Sequence, residues 1–225
     1  MRPAVIVPVL DEAEELPALL YQLARLPGEW EVVIVDGGSR DGSVALARAH
    51  PRADLVVEAR GGRAAQLNAG AAASGGDPLV FLHADSRLPD GAHAAIAGAD
   101  PAIAGGNFVL RFAGGDRFSR LLGAVYAVQR RRGYYYGDST VWVRRETFAA
   151  LGGFRPLPIM DDYDFVRRLE RTGRTVALPG PALTSARRWQ AMGVRRTLIS
   201  WVLIRWLFLA GIPADRLARL YRRVR

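Results

Sequence analysis

Four short apolar runs, AVIVPVL (4–10), EVVIVD (31–36), ADLVVEA (53–59) and PLVFLHAD (78–85), alternate with helix-like segments through the first 85 residues. None of them alternates apolar with polar positions, so each expects burial on both faces. Strands of that kind, separated by helices, predict a mostly parallel sheet with helices on both sides. In such a sheet ligands collect in the crevice beyond the carboxyl ends of the strands. Those ends are where this chain turns polar: Asp11-Glu12 follows the first run, Asp36-Gly37-Gly38-Ser39 the second and His83-Ala84-Asp85 the fourth. One Asp after a strand is ordinarily a helix cap. Three polar clusters at a common rim point to a ligand site.

Asp11 is placed to cap a helix over 13–26, with Glu14 in capping-box position. A second helix is expected from near Ser43 and an Ala-rich third after Gly61-Gly62. Beyond residue 100 the pattern predicts strands at 105–112 and 134–145, a helix at 116–131, and a loop entering a helix at 159–173. The chain reads as one α/β domain over 1–190 in two halves (1–100 and 101–190), followed by a basic and apolar helical tail at 191–225.

The absence of cysteine excludes disulfides, thiolate metal sites and a cysteine nucleophile. A net charge of +9 calls for an acidic partner, and arginines cluster at 130–132, 144–145, 167–174, 187–196 and 216–225, toward the C-terminus. RRRGYYYG (130–137) superficially offers a stacking platform, but no nucleic-acid motif accompanies it, so no nucleic-acid partner is expected. Without a secretory-type leader before the first strand, a cytoplasmic location is expected. The tail segment RRTLISWVLIRWLFLAGIP (195–213) is interrupted by Arg205, and it is short for the roughly 20 apolar residues that span a bilayer. Trp201, Trp206 and Phe208 between flanking arginines predict a helix lying at the inner face of the membrane. The other readings are a helix packed on the domain or on a second subunit of a homodimer.

His83 and Asp85 project to the same side of an extended chain. Asp85 suits a hard divalent cation, Mg2+ or Mn2+, of the kind held by one or two carboxylates together with substrate phosphates. His83 is a second ligand, a hydrogen-bond donor to phosphate, or a plain strand-end histidine. The glycines of DGGSRDG fit neither the dinucleotide fingerprint nor the P-loop. Arg63, behind Gly61-Gly62, is placed either to reach a phosphate or to sit in solvent.

The series VIVPVLDEAEELPALL, VIVDGGSRDGS, GRAAQLNAGAAAS, FLHADSRLP, LGGF and DDYDF resembles the family 2 glycosyltransferases of GT-A fold, in order and spacing, over about residues 3–180. GGNFVLRF, YGDSTVWVRR, PIMDDYDF and TSARRW are most similar to a short bacterial subgroup, the radical-SAM/selenodomain-associated transferase 2 proteins. The resemblance implies transfer of a sugar from a UDP- or GDP-linked donor with inversion. It places Pro8, Leu10, Glu12, Asp36, Gly38, Arg63 and Ala84 at the donor nucleotide, and Asp85 with His83 at a divalent metal. It makes Asp162, supported by Asp161, the catalytic base. Tyr136, Asp138, Arg187, Arg188 and Trp189 fall on the acceptor side, where the apolar tail implies a lipid-linked or carotenoid-like acceptor. The chain departs from the family pattern in three places: His83 replaces a metal-motif Asp, Leu10 an aromatic and Gly37 a carboxylate. The rival readings are a nucleotidyltransferase, whose Gly-rich basic N-terminal loop is not seen in VPVLDEAEE, and a non-catalytic sugar-nucleotide binder at a membrane.

Overall fold

The computed structural model describes residues 1–221. Its first four strands are the four apolar runs: β1 (Ala4–Val9), β2 (Glu31–Asp36), β3 (Leu55–Glu58) and β4 (Leu79–Phe81), joined by α1 (Leu16–Arg25), α2 (Ser43–Ala49) and α3 (Arg63–Ala73). There follow α4 (Ala92–Ala97), β5 (Ile103–Phe112), α5 (Arg117–Arg130), a 3-10 turn over Gly137–Ser139, β6 (Val141–Val143) and α6 (Arg145–Ala150). The chain ends with α7 (Asp161–Thr172), β7 (Arg174–Thr184), α8 (Arg187–Met192), α9 (Val194–Leu209) and α10 (Ala214–Leu220). The strands make a seven-stranded sheet in the order β3-β2-β1-β4-β6-β5-β7. β1 is parallel to β2 and β4, and β2 to β3; β6 runs antiparallel to β4 and β5, and β5 pairs parallel with β7.

Unbroken apolar strands are explained by two cores. Alternate residues of β1, β2 and β4 (Val5, Val7, Val32, Ile34, Val80) pack under Leu16, Leu19, Leu20 and Leu23 of α1. Their neighbours Ala4, Ile6, Val33, Val35, Leu79 and Phe81 pack on the other face against Ala64, Leu67 and Ala71 of α3 and Phe165, Val166 and Leu169 of α7. Gly70 lets α3 approach closely, since a Cβ there would lie 2.8 Å from Val35 Cγ2 and nearer still to Ile6.

Three local expectations change. Asp11 does not cap α1, which begins after Glu15 with no side-chain cap and no capping box at Glu14. Asp11 instead takes a left-handed backbone (φ 54°) and accepts from the Arg40 N–H, tying the loop after β1 to the loop after β2. The strand expected at 134–145 shortens to Val141–Val143, because Gly137–Ser139 turn in a 3-10 helix first. β4 stops at Phe81, so His83 and Asp85 stand in the turn beyond it.

The tail folds back on the domain. Trp201 meets Trp189 edge to face at 6.2 Å, and Phe208 meets Tyr163 at 6.1 Å. No helix among the described residues is long and apolar enough to cross a membrane. Arg222, Arg223 and Arg225 of the basic cluster lie outside the described residues.

Candidate active site

The loops after β1 and β4 open on a cavity of about 740 Å3, whose other walls come from the start of α3, from α5, the 3-10 turn, the start of α7, and α8 with α9. Its lining includes Pro8, Leu10, Glu12, Arg63, His83, Ala84, Asp85, Tyr136, Asp138, Asp161, Asp162, Arg187, Arg188 and Trp189. Asp85 and Asp162 therefore face one cleft although 77 positions separate them. Asp36 and Gly38 are not part of that lining; the buried Asp36 carboxylate accepts from the Gly38 and Ser39 N–H groups and shapes its own turn.

Two arginine clamps set the charge. Arg187, on the first turn of α8, donates to both carboxylate oxygens of Glu12 (3.2 and 3.0 Å) and lies 3.2 Å from Asp85 Oδ2. It thereby joins the loops after β1 and β4 to the tail. Burial lowers the Arg187 pKa, but the Glu12 hydrogen bond and the charge of Asp85 outweigh it and hold the guanidinium protonated. Arg63, on the first turn of α3, makes a two-pronged pair with Asp161 (3.0 and 2.5 Å) and lies 3.3 Å from Asp162. Arg63 is thus a member of the site and not a solvated surface residue.

Asp162 stands at the start of α7, where carboxylates favour the positive end of the helix dipole. Its Oδ2 accepts from the Gly137 N–H at 2.8 Å and its Oδ1 from the Tyr163 N–H at 2.8 Å. Burial pushes its pKa up, yet Arg63, the Gly137 N–H, His83 and the Tyr163 N–H together pull it below the usual carboxylate value. Gly137 gives room here: a Cβ would lie 3.1 Å from both Asp162 Oδ2 and His83 Nε2, so both side chains would have to give by a few tenths of an ångström. Asp138, the next residue, has the opposite fate. Burial, then the charge of Asp162, push its carboxyl up to about 7 against a lowering hydrogen bond with Tyr126. Its Oδ1 is buried with no hydrogen-bond partner among the described residues. Two neighbouring carboxyls with pKa values driven apart are a common acid–base arrangement.

His83 is held below its usual pKa by burial and then by Arg63, against the pull of Asp85, Asp162 and Asp161. It is a neutral imidazole at pH 7, which is the ligating form. No group of three His, Cys, Asp or Glu side chains among the described residues is placed to hold a metal ion by itself. A divalent cation would be held by Asp85 and His83, with its remaining positions open to phosphate oxygens and water, a donor set that suits Mg2+ or Mn2+.

Several site residues carried no signal in the sequence reading. Gln66 of α3 donates from Nε2 to the Val9 and Val35 carbonyls (2.8 and 2.7 Å), clamping the ends of β1 and β2 under the cavity floor. Leu122, Val125 and Tyr126 of α5, and Leu198, Val202 and Arg205 of α9, supply much of the far wall. Only helical periodicity together with the tertiary fold could have brought them there. Trp189 is 5% exposed and packs on Phe112 and Phe118, so most of its ring belongs to the core beneath that wall.

Comparison with known proteins agrees with this architecture. A mannosyltransferase from Pyrobaculum calidifontis, solved with GDP-Man and Mn2+, superposes with a TM-score of 0.68 at 24% identity, covering 93% of this chain and 64% of its own. Glucosyl-3-phosphoglycerate synthase from Mycobacterium tuberculosis, solved with Mn2+, UDP and glucosyl-3-phosphoglycerate, superposes with a TM-score of 0.61 at 20% identity, covering 94% and 81%. These likenesses establish the fold, the GT-A arrangement of a mostly parallel sheet between helices. An undecaprenyl-phosphate 4-deoxy-4-formamido-L-arabinose transferase from Pseudomonas syringae is 34% identical over 96 residues, which is 38% of this chain and 28% of the relative. An uncharacterized glycosyltransferase from Mycobacterium bovis is 33% identical over 87 residues, 39% of this chain and 38% of the relative. The aligned part of the chain thus spans well under half the length of both. The sequence profile of glycosyl transferase family 2 matches residues 4–157, more than half of the chain, and the protein belongs to that family.

Proposed function

We propose that the protein transfers a sugar, with inversion, from a UDP- or GDP-linked donor to an acceptor presented from the α5 and α9 side of the cavity. The observation that carries the reading is the single cleft in which Asp85 and His83 face Asp161 and Asp162. The donor nucleotide lies along Pro8, Leu10, Glu12, Arg63 and Ala84, and its diphosphate at the Asp85 end. When bound there, Mg2+ or Mn2+ supplies positive charge to a leaving diphosphate that gains negative charge as the glycosidic bond breaks. Arg187 adds fixed positive charge at the same end.

Asp162 receives the acceptor proton from the opposite side. The Gly137 N–H holds Oδ2 in place while leaving it a free lone pair, and Arg63 and the Tyr163 N–H keep the carboxylate ionised. Asp161 keeps Arg63 in position. Tyr136 and Asp138 border the acceptor. Tyr136 is held at about 12, raised mainly by burial against the lowering pull of Arg205, so its hydroxyl stays a neutral donor. A base in this position contributes roughly 10^2 to 10^4 in rate.

Membrane-surface contact fits the same side. Ile199, Val202, Leu203, Trp206 and Leu209 form an exposed stripe along α9, spaced as one helical face. Leu121, Val125 and Val128 form a second along α5, and Arg195, Arg196, Arg216 and Arg219 stand exposed around them. The location that follows is peripheral, at the cytoplasmic membrane face.

The direct test is release of nucleoside diphosphate from a panel of UDP- and GDP-sugars with Mn2+. Turnover of one donor class is expected, with Asp162→Asn lowering it at least a hundredfold while UDP or GDP binding changes less than threefold. Turnover of Asp162→Asn within a few-fold of wild type removes Asp162 as the base, and no nucleotide binding by the wild type removes the glycosyltransferase reading.

A further inference from the structure

The arginines that line the cavity fall into two classes. Arg63 is committed to Asp161 and Asp162, and Arg187 to Glu12 and Asp85. Arg188 and Arg205 have no carboxylate partner among the described residues. Arg188 donates to the Tyr221 hydroxyl and lies over that ring at 4.6 Å. Arg205 lies over Tyr134 at 4.9 Å and over Tyr163 at 5.8 Å. The rings hold the guanidinium by cation–π attraction but bring no charge to balance it. A half-buried cation in a cavity wall without a counter-ion keeps its desolvation cost until an anion arrives, and the planar guanidinium suits phosphate.

The position of Arg205 separates it from the donor end. Tyr163 follows Asp162 directly in α7 and stacks on Tyr136 at 5.7 Å. Arg205 is therefore beside the Asp162 end of the cleft, while Arg187 serves the Asp85 end. Beyond Arg205 the walls turn apolar, with Phe112, Leu122, Val125, Leu198, Trp201 and Val202. Val125, Leu198 and Val202 both line the cavity and reach solvent, at 40%, 37% and 55% exposure, so the apolar end opens to the outside between α5 and α9.

We propose that Arg205 binds the phosphate of a lipid phosphomonoester acceptor whose apolar chain leaves the cavity between α5 and α9. The proposal rests on the glycosyltransferase reading above and names its acceptor. In the reaction a phosphate oxygen forms the new bond to the anomeric carbon, and the bond from that carbon to the donor diphosphate breaks. The nucleoside diphosphate leaves with the electron pair, and any proton still on the attacking phosphate passes to Asp162. A soluble phosphate would use Arg205 without needing the apolar walls, and an uncharged lipid would use the walls without needing Arg205; together they select a molecule with both.

The test uses the full chain without vesicles and three probes, farnesyl phosphate, farnesol and inorganic phosphate, with UDP and GDP binding followed in parallel. Farnesyl phosphate is expected to bind at least tenfold more tightly than either of the other two. Arg205→Gln is expected to weaken it roughly tenfold or more, as loss of a charge-assisted phosphate contact does, leaving nucleotide binding within twofold. Arg205→Lys should recover part of the loss, and Val202→Asp should weaken farnesyl phosphate without affecting inorganic phosphate. Equal binding of farnesol or of inorganic phosphate, or no effect of Arg205→Gln, overturns the proposal. Loss of nucleotide binding in Arg205→Gln assigns the arginine to the donor and also overturns it. Nucleotide binding by a wild type that ignores farnesyl phosphate removes the lipid phosphate and leaves the transferase standing.

Discussion

Replacing Asp138 with Asn asks whether the cavity is maintained at the expense of the fold. The folded protein raises this carboxyl from the ordinary 3.8 to about 7, through burial and the nearby charge of Asp162. Between those two values the folded state binds the proton and the unfolded state has released it. Stability therefore falls as pH rises from about 4 to about 7 and is level outside that window. The full loss is on the order of 4 kcal/mol, and an amide at position 138 does not incur it. The measurement is urea unfolding of wild type and Asp138→Asn at intervals from pH 4.5 to 8, with chelator present so that no cation contributes. The stability difference, Asn minus Asp, should grow with pH up to about 7 and then flatten. With a urea m-value of about 2–3 kcal/mol/M the midpoints separate by roughly 1–2 M. Titrations common to both proteins cancel in the difference. A separation that stays constant within about 0.3 M across the range would refute the reasoning. The same variant is expected to lose turnover while gaining stability, as a residue kept for function does.

Asp161→Asn removes the two-pronged partner of Arg63; because Arg63 is 36% exposed and keeps Asp162 at 3.3 Å, unfolding free energy at pH 7 should fall by about 2 kcal/mol, less than for a fully buried broken pair, and a fall below about 0.5 kcal/mol would show that the pair does not hold α3 to α7. Vesicle flotation should recover the wild type with liposomes containing anionic lipid, and Ile199→Glu with Trp206→Glu should leave it at the bottom of the gradient; equal flotation of both, or none of either, contradicts the membrane face on α9.

The first half of the fold was legible because β1, β2 and β4 are buried on both faces, and continuous apolar runs have few other uses; β3, at the sheet edge, is half-exposed in spite of its apolar run. The second half hid its sheet. β7 carries Pro179 and Pro181 around Gly180, which argue against a strand, and it survives because it is an edge strand whose one neighbour in the sheet order is β5, with a single further bridge from Leu183 to Arg87. Tyr134–Tyr136 read as β-formers, but the backbone bends at Gly137 to present its N–H to Asp162. Asp11 shows the same conflict, since a cap residue by type takes a positive φ instead and stitches two loops. In the site, His83 and Asp85 stood out by their spacing, whereas Asp138, Asp161, Asp162 and Arg187 were reached through the family resemblance. Gln66 and Arg205 could be found by neither, because a glutamine or an arginine on a helix has no local feature to distinguish a clamp or a ligand contact from a solvated side chain.

Strain and the layout of the cavity bear on where specificity resides. The non-glycine residues described with positive φ, Asp11, Thr140 and Met160, all lie in segments that border the cavity. Each costs about 1–2 kcal/mol, and with Asp138 they mark the site as the place where the chain departs from its own local preferences. Asp11 lies beside the donor loops, whereas Thr140 follows Asp138 and Met160 precedes Asp161. The family match ends at residue 157. Asp161, Asp162, Arg187, Arg188, Arg205 and the whole α9 wall come after it. On the proposed reading the loops after β1 and β4 hold the donor, and α5 together with the chain beyond residue 157 builds the wall an acceptor must cross. A search for the acceptor should accordingly vary residues on α5 and on α7 to α9, and treat donor choice, proposed above for the loops after β1 and β4, as a separate question.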